Sequence, residues 1–242
     1  MSKFVLVHGA WHGSWCWKRV RGALQAAGHE VFTPTLTGVG ERSHLLSREV
    51  DLETHIRDVV NLIRWEELSD VVLCGHSYGG CVVRGAADRI PDRIASLVYL
   101  DAFVPEDGQS LHDVLPDDVR KGQVASAEKS GEGWRVPPIP AEVFQVNGAD
   151  RAWVNRQCTP QPLATFQQPL RLTGAADRVS KISYILAAGW APSPFPPFYE
   201  RAKARGWRTE TVACGHDVML DMPEELVRQL LAAAPEAAAA AL

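Results

Sequence analysis

The sequence predicts an α/β fold: a mostly parallel, doubly wound sheet with helices packed on it and one long insertion. Three observations predict it. Short unbroken apolar runs recur at Phe4–Val7, Val71–Cys74 and Leu97–Leu100, the pattern of strands buried on both faces. Between them lie segments of helical period, clearest where Leu52, Ile56, Val59, Val60 and Ile63 repeat on one face. Strands alternating with helices imply right-handed crossovers and a parallel sheet. The alternation then lapses between about residues 104 and 181 and resumes after them. The 242 residues are enough for one large core, so residues 1–242 read as a single domain with a cap or lid inserted at about 104–181.

Taken in order, Phe4–Val7 is the first strand and His8-Gly9-Ala10-Trp11-His12-Gly13 breaks it. Ser14 is placed to cap a helix over about Trp15–Ala27, which Gly28 ends. Val31–Thr33 is the second strand, and a Gly- and Thr-rich loop runs from Thr35 to Ser43. Asp51 caps the periodic helix. The strand at Val71–Cys74 leads into a helix from about Gly79 to Ile90. Leu97–Leu100 ends at Asp101. Eight prolines between Pro105 and Pro169 and a polar tract from Lys121 to Gly133 predict only short helices in the insertion. A strand at Ile182–Leu186, a helix at about Pro197–Arg205, a strand at Thr209–Ala213 and a helix from Pro223 complete the core. The alanine-rich tail from Ala232 reads as a fraying helix end.

Net charge is −4 and pI about 6.1, with no basic cluster, so neither nucleic acid nor a membrane surface is expected as a partner. Five cysteines in no zinc-ligand spacing predict free thiols in a reducing cytoplasm. The apolar run after Met1-Ser2-Lys3 is too short for a signal peptide. A monomer or homodimer is expected.

The chemistry concentrates in Gly75-His76-Ser77-Tyr78-Gly79, between a strand and a helix. This is the G-x-S-x-G elbow, which holds a serine hydroxyl out above a sheet. Such a hydroxyl needs a base, and His216 is the one histidine beyond the insertion. An oxyanion needs preorganised donors: the N–H of Tyr78, just after the serine, and that of Ala10 in the loop after the first strand. His8 and His12 are read as ordering that loop. The acid that orients the histidine is sought at the carboxyl edge of a strand. Asp101 fits, with Asp177 as a further candidate; Asp217 is disfavoured, because residues adjacent in sequence rarely face each other. Trp11, Trp134, Phe144, Trp153 and Phe166 are candidates for an aromatic substrate pocket. Cys16 and Cys81 read as packing residues. Neither metal nor cofactor is required.

Phe4 to Gly13, Gly75-His76-Ser77-Tyr78-Gly79-Gly80, Leu100–Pro105, Tyr184-Ile185 and Gly215-His216 together resemble the α/β-hydrolases of the plant methylesterase and hydroxynitrile lyase group and their bacterial esterase relatives. Length and N-terminal half are similar to bacterial hydrolases of benzimidazole carbamates. The resemblance implies a serine hydrolase of small carboxylic esters or methyl carbamates working through an acyl-enzyme. Lyases of the group carry a threonine after the first motif histidine and a lysine after the catalytic one; here Gly9 and Asp217 stand there, which speaks against cyanide chemistry. Dehalogenases, with an aspartate at the elbow, are disfavoured too. Trp190 falls where the group usually keeps its catalytic aspartate. That departure leaves a ligand-binding pseudo-hydrolase as the alternative of another class.

Overall fold

The computed structural model describes residues 1–235. In chain order the elements are β1 (Lys3–Val7), α1 (Lys18–Ala26), β2 (Glu30–Phe32), α2 (Leu52–Trp65), β3 (Val71–His76), α3 (Gly79–Arg89), β4 (Ile94–Leu100), α4 (Leu111–Val114), α5 (Asp117–Ser130), β5 (Arg135–Val136), α6 (Arg151–Gln157), β6 (Gln161–Pro162), α7 (Ala164–Gln167), β7 (Lys181–Ala187), α8 (Pro196–Ala204), β8 (Arg208–Val212), α9 (Val218–Asp221) and α10 (Pro223–Ala233). Six strands form one sheet in the order β2-β1-β3-β4-β7-β8, and every neighbouring pair is parallel.

The three apolar runs occupy the sheet's middle. Phe4–Val7, Val71–Cys74 and Leu97–Leu100 have no exposed surface. The polar edge strands, with Glu30 in β2 and Thr209 and Glu210 in β8, are only partly buried, as their composition requires. Strand order reverses between β1 and β3, and at such a switch point two loops diverge at the carboxyl edge and leave a crevice. The loop after β1 and the elbow after β3 are those two loops. Among the described residues no helix is long and apolar enough to cross a membrane.

Local chemistry explains where helices begin. Asp51 caps α2 by accepting from the Thr54 N–H at 2.8 Å, with Thr54 returning the bond, and the predicted stripe of α2 is buried. Ser14, in contrast, caps nothing. Its hydroxyl meets Thr33 Oγ1 at 2.7 Å, and Ser14–Trp17 forms a 3-10 turn before α1 starts at Lys18. The chain just past β2 supplies a partner that the local sequence does not show.

The insertion between β4 and β7 holds α4 to α7 and the antiparallel β5–β6 pair. Expecting only short helices there was wrong for α5. Its 14 residues equal α2 in length, because Pro116 and Pro137 flank the polar tract without entering it. The expected fraying tail falls partly in α10, which runs to Ala233; residues 236–242 lie outside the described residues.

The elbow is held by contacts that leave no room for side chains. A Cβ on Gly75 would lie 2.5 Å from the Gly79 carbonyl oxygen, and one on Gly79 would lie 2.7 Å from that of His8. Ser77 itself adopts φ +55°, a left-handed conformation that costs a non-glycine residue about 1–3 kcal/mol. Three backbone bonds fix it there: Ser77 N–H to the Leu100 carbonyl, and the Ser77 carbonyl to the N–H groups of Gly80 and Phe103.

Candidate active site

His216 sits in the loop after β8. Its N–H donates to the Phe144 carbonyl at 2.9 Å, which pins the loop to the insertion. Its Nδ1 lies 2.6 Å from Asp101 Oδ2. Asp101 is the first residue past β4, at φ +42°. Its N–H is tied to the Ile185 carbonyl at 2.7 Å, and its other carboxylate oxygen accepts from the Ala187 N–H at 3.0 Å. The carboxylate is therefore aimed from both ends. Burial pushes the His216 imidazole down to about 4, so the ring is neutral. With its proton on Nδ1 facing Asp101, Nε2 keeps its lone pair. Burial pushes the Asp101 carboxyl up, opposed by the Ala187 N–H. Phe195 stacks on the His216 ring at 5.1 Å and Trp190 approaches it at 4.6 Å, which fixes the imidazole plane.

The other two candidate acids have different partners. Asp177 takes both oxygens to the Arg84 guanidinium, at 2.9 and 3.0 Å. Asp217 accepts from His12 Nε2 at 3.1 Å. His12 Nδ1 lies 2.7 Å from the Ala10 carbonyl, so both ring nitrogens face acceptors and the ring is an imidazolium. Burial alone would lower His12, but the Asp217 carboxylate outweighs it and the net shift is upward. For Asp217, burial raises the carboxyl, but His12 dominates, with His76 and His216 adding to it, and holds it well below the usual range. This buried ion pair ties the loop after β1 to the loop carrying His216. Removing one member of such a pair costs about 3–5 kcal/mol. Asp217→Ala is accordingly expected to lower unfolding free energy by about 3 kcal/mol in urea titration. In Asp217→Asn the side-chain amide can donate to a neutral His12 Nε2, and much of the loss is expected to return.

His8 also braces this loop, with Nδ1 2.8 Å from the Gly9 carbonyl and Nε2 accepting from the Leu36 N–H. Ala10 and Tyr78 flank the elbow, and among the described residues neither N–H has an acceptor. The Tyr78 side chain points away, its hydroxyl bonded to His55 Nδ1 at 2.9 Å. A Cβ on Gly9 would lie 2.9 Å from the Ser77 Cβ, so the threonine of the lyases could not be seated without displacing the elbow.

Burial lowers His8 to about 3, and lowers His55, His76 and His216 as well. An unfolded chain protonates its histidines near pH 6.5, so these four bind fewer protons folded than unfolded below that pH. Their contribution is complete above 6.5 and is lost as pH falls below it, at up to about 1.4 kcal/mol per unit for each. Asp101, shifted upward, works against this loss as pH falls. The urea midpoint is expected to drop steeply between pH 6.5 and 5; a flat profile would contradict the neutral buried histidines.

Ser77, Tyr78, Ala10 and His216 open onto one cavity of about 440 Å³. Of the expected aromatic residues, Trp11, Phe144 and Phe166 line it. Trp134 and Trp153 do not. Trp134 lies under the Arg48 and Arg135 guanidiniums, and Trp153 packs edge-on against Trp15 at 5.0 Å. Phe103, Trp190, Phe195, Leu115 and Ile139 also line the cavity and were missed by sequence reasoning. Of these, only Trp190 carried a signal, its departure from the family pattern. Burial pushes the thiols of Cys16 and Cys81 up, which keeps them protonated and unsuited to attack.

A model of the alpha/beta hydrolase family matches residues 4–229. A carbendazim hydrolyzing esterase of Nocardioides sp. (strain SG-4G) is 52% identical over 240 residues, covering 96% of this chain and 99% of the other. Methylesterase 7 of Arabidopsis thaliana is 37% identical over 107 residues, 43% of this chain and 41% of its own. Among solved structures, an extracellular alpha/beta-hydrolase from a Paenibacillus species superposes with a TM-score of 0.86 at 26% identity, covering 98% of this chain and all of that one. With the sheet order, the elbow and a full-length esterase relative in agreement, the chain belongs to the alpha/beta hydrolase family and is a hydrolase of the esterase type.

Proposed function

We propose that this enzyme cleaves the methyl esters or methyl carbamates of flat aromatic groups through an acyl-enzyme on Ser77. The observation that carries the reading is the convergence of Ser77 and His216 on one apolar cavity, with His216 held by Asp101 at 2.6 Å. His216 Nε2 takes the Ser77 proton as Oγ attacks the carbonyl carbon. The N–H groups of Ala10 and Tyr78, free of other acceptors, receive the oxyanion. As the C–O bond breaks, His216 returns its proton to the departing methoxide and methanol leaves. Water then loses a proton to His216, attacks the acyl carbon and releases Ser77. With a carbamate the product acid loses carbon dioxide and leaves an amine. Asp101 stabilises the imidazolium throughout. The segment at 104–181 acts as the lid, and aromatic walls from Trp11, Phe144, Phe166 and Trp190 favour a flat acyl portion. The bacterial relative's name, which specifies carbendazim, supports a benzimidazole carbamate as substrate. We place the enzyme in the cytoplasm, as a monomer or homodimer.

A panel of matched methyl esters, methyl carbamates and amides of one aromatic acid or amine tests the proposal. Turnover of the ester or the carbamate, with the amide slower, is expected. No turnover of any member would favour a ligand-binding role for the same cavity.

A further inference from the structure

Apart from Ser77, Tyr78 and His216, the residues that line the cavity are apolar except in three places. Asp118 is exposed. Ser193 Oγ already accepts the Phe195 N–H at 3.2 Å. The third is Gln123 of α5, whose side chain lines the cavity while the residue is only 8% exposed. Its Oε1 lies 2.9 Å from His112 Nε2. His112 is buried among these residues, at 7% exposure, and because an amide oxygen can only accept, its Nε2 is the donor. That bond fixes which end of the amide faces which way. Oε1 is turned to His112, and the Nε2 hydrogens, which have no acceptor among the described residues, are left for the cavity. His112 in turn packs against Phe166 with ring centroids 6.1 Å apart, so the amide is mounted on a fixed support.

A ligand that seats against this amide strips it of water, and one that lacks an acceptor there leaves the N–H unpaired at a cost that a ligand with an acceptor avoids. A site built to hydrogen-bond a substrate atom discriminates far better against an analogue lacking that atom than an apolar wall does. We infer that Gln123 is a specificity determinant that donates a hydrogen bond to an acceptor without a hydrogen of its own, a ring nitrogen of a heteroaromatic acyl group. This rests on the proposed ester and carbamate hydrolysis. It selects nitrogen heteroaromatic substrates over carbocyclic ones of the same shape. His112 is a positioning residue that holds the amide in its donating orientation.

The test compares methyl 2-naphthoate with methyl quinoline-6-carboxylate and methyl quinoline-7-carboxylate, which match it in shape but carry one acceptor nitrogen in the second ring. Wild type is expected to prefer at least one quinoline ester by about ten- to a hundredfold in kcat/KM, mostly through KM. In Gln123→Leu that ratio is expected to collapse to about one. Gln123→Met, unbranched and without a donor, does the same and serves if the leucine variant fails to fold. Gln123→Glu, which presents an acceptor, is expected to disfavour the quinolines. A wild-type ratio near one, or a preference that survives in the leucine and methionine variants, overturns the inference and leaves the esterase reading intact. Failure of wild type to hydrolyse any of the three esters speaks instead against that reading.

Discussion

Ser77→Ala is expected to lower kcat for a methyl ester by about a million-fold, the scale of loss when the nucleophile of a serine hydrolase triad is removed. The reasoning is chemical. Without Oγ no acyl-enzyme forms, and His216 is left to activate water against the intact ester. The residue that remains comes from the N–H groups of Ala10 and Tyr78 and from binding in the cavity. The fold should tolerate the change, because the bonds that hold position 77 at φ +55° are backbone bonds to Leu100, Gly80 and Phe103. A single-turnover assay, with intact-mass detection of a fluorophosphonate adduct, separates chemistry from folding. Wild type should gain one adduct, the alanine variant none. An alanine variant within tenfold of wild-type turnover would end the acyl-enzyme mechanism.

Some of this was legible in the sequence because burial is nearly complete where the site is built. A central strand such as Val71–Cys74 leaves no polar face, and Gly75 and Gly79 have no space for a side chain. Both constraints act locally, so they are written locally. The insertion obeys another logic. Trp134 and Phe144 look alike in sequence, yet one lies under two guanidiniums and the other lines the cavity. That choice is made by contacts between distant segments, such as the Gly40 N–H on Thr159 Oγ1 and the Thr159 N–H on the Trp11 carbonyl. Ser14 departs from its expected cap for the same reason, its partner Thr33 lying just past the end of β2. In α5, the polar tract between two prolines forms one long helix where its composition predicts short ones, because neither proline enters it. Gln123 lay inside that tract, and only the folded helix brings it to the cavity wall.

Asp101→Asn is expected to reduce kcat by about 10³- to 10⁴-fold while KM and the urea midpoint change little. Asparagine fills the same volume and keeps the bond from the Ala187 N–H. It presents an amide to His216 Nδ1 where a carboxylate accepted a proton, so the ring holds its hydrogen on Nε2. That tautomer cannot take the Ser77 proton, and the imidazolium that develops loses its counter-charge. Asp177→Asn is the control. Its partner is Arg84, so turnover should stay near wild type even if some stability is lost. The reverse pattern would return the acid role to Asp177. The sheet explains how a carboxylate at the end of β4 can serve as the proposed acid. β4 and β7 are neighbours, the Asp101 N–H is anchored on Ile185 of β7, and His216 approaches from beyond β8. One imidazole can therefore meet a carboxylate from either strand end. With the proposed acid on β4, the loop after β7 is free to carry Trp190. Its indole donates to the Val143 carbonyl at 2.9 Å and closes the cavity beside His216. A carboxylate there would charge that wall, whereas the tryptophan keeps it apolar, as the proposed flat substrate requires.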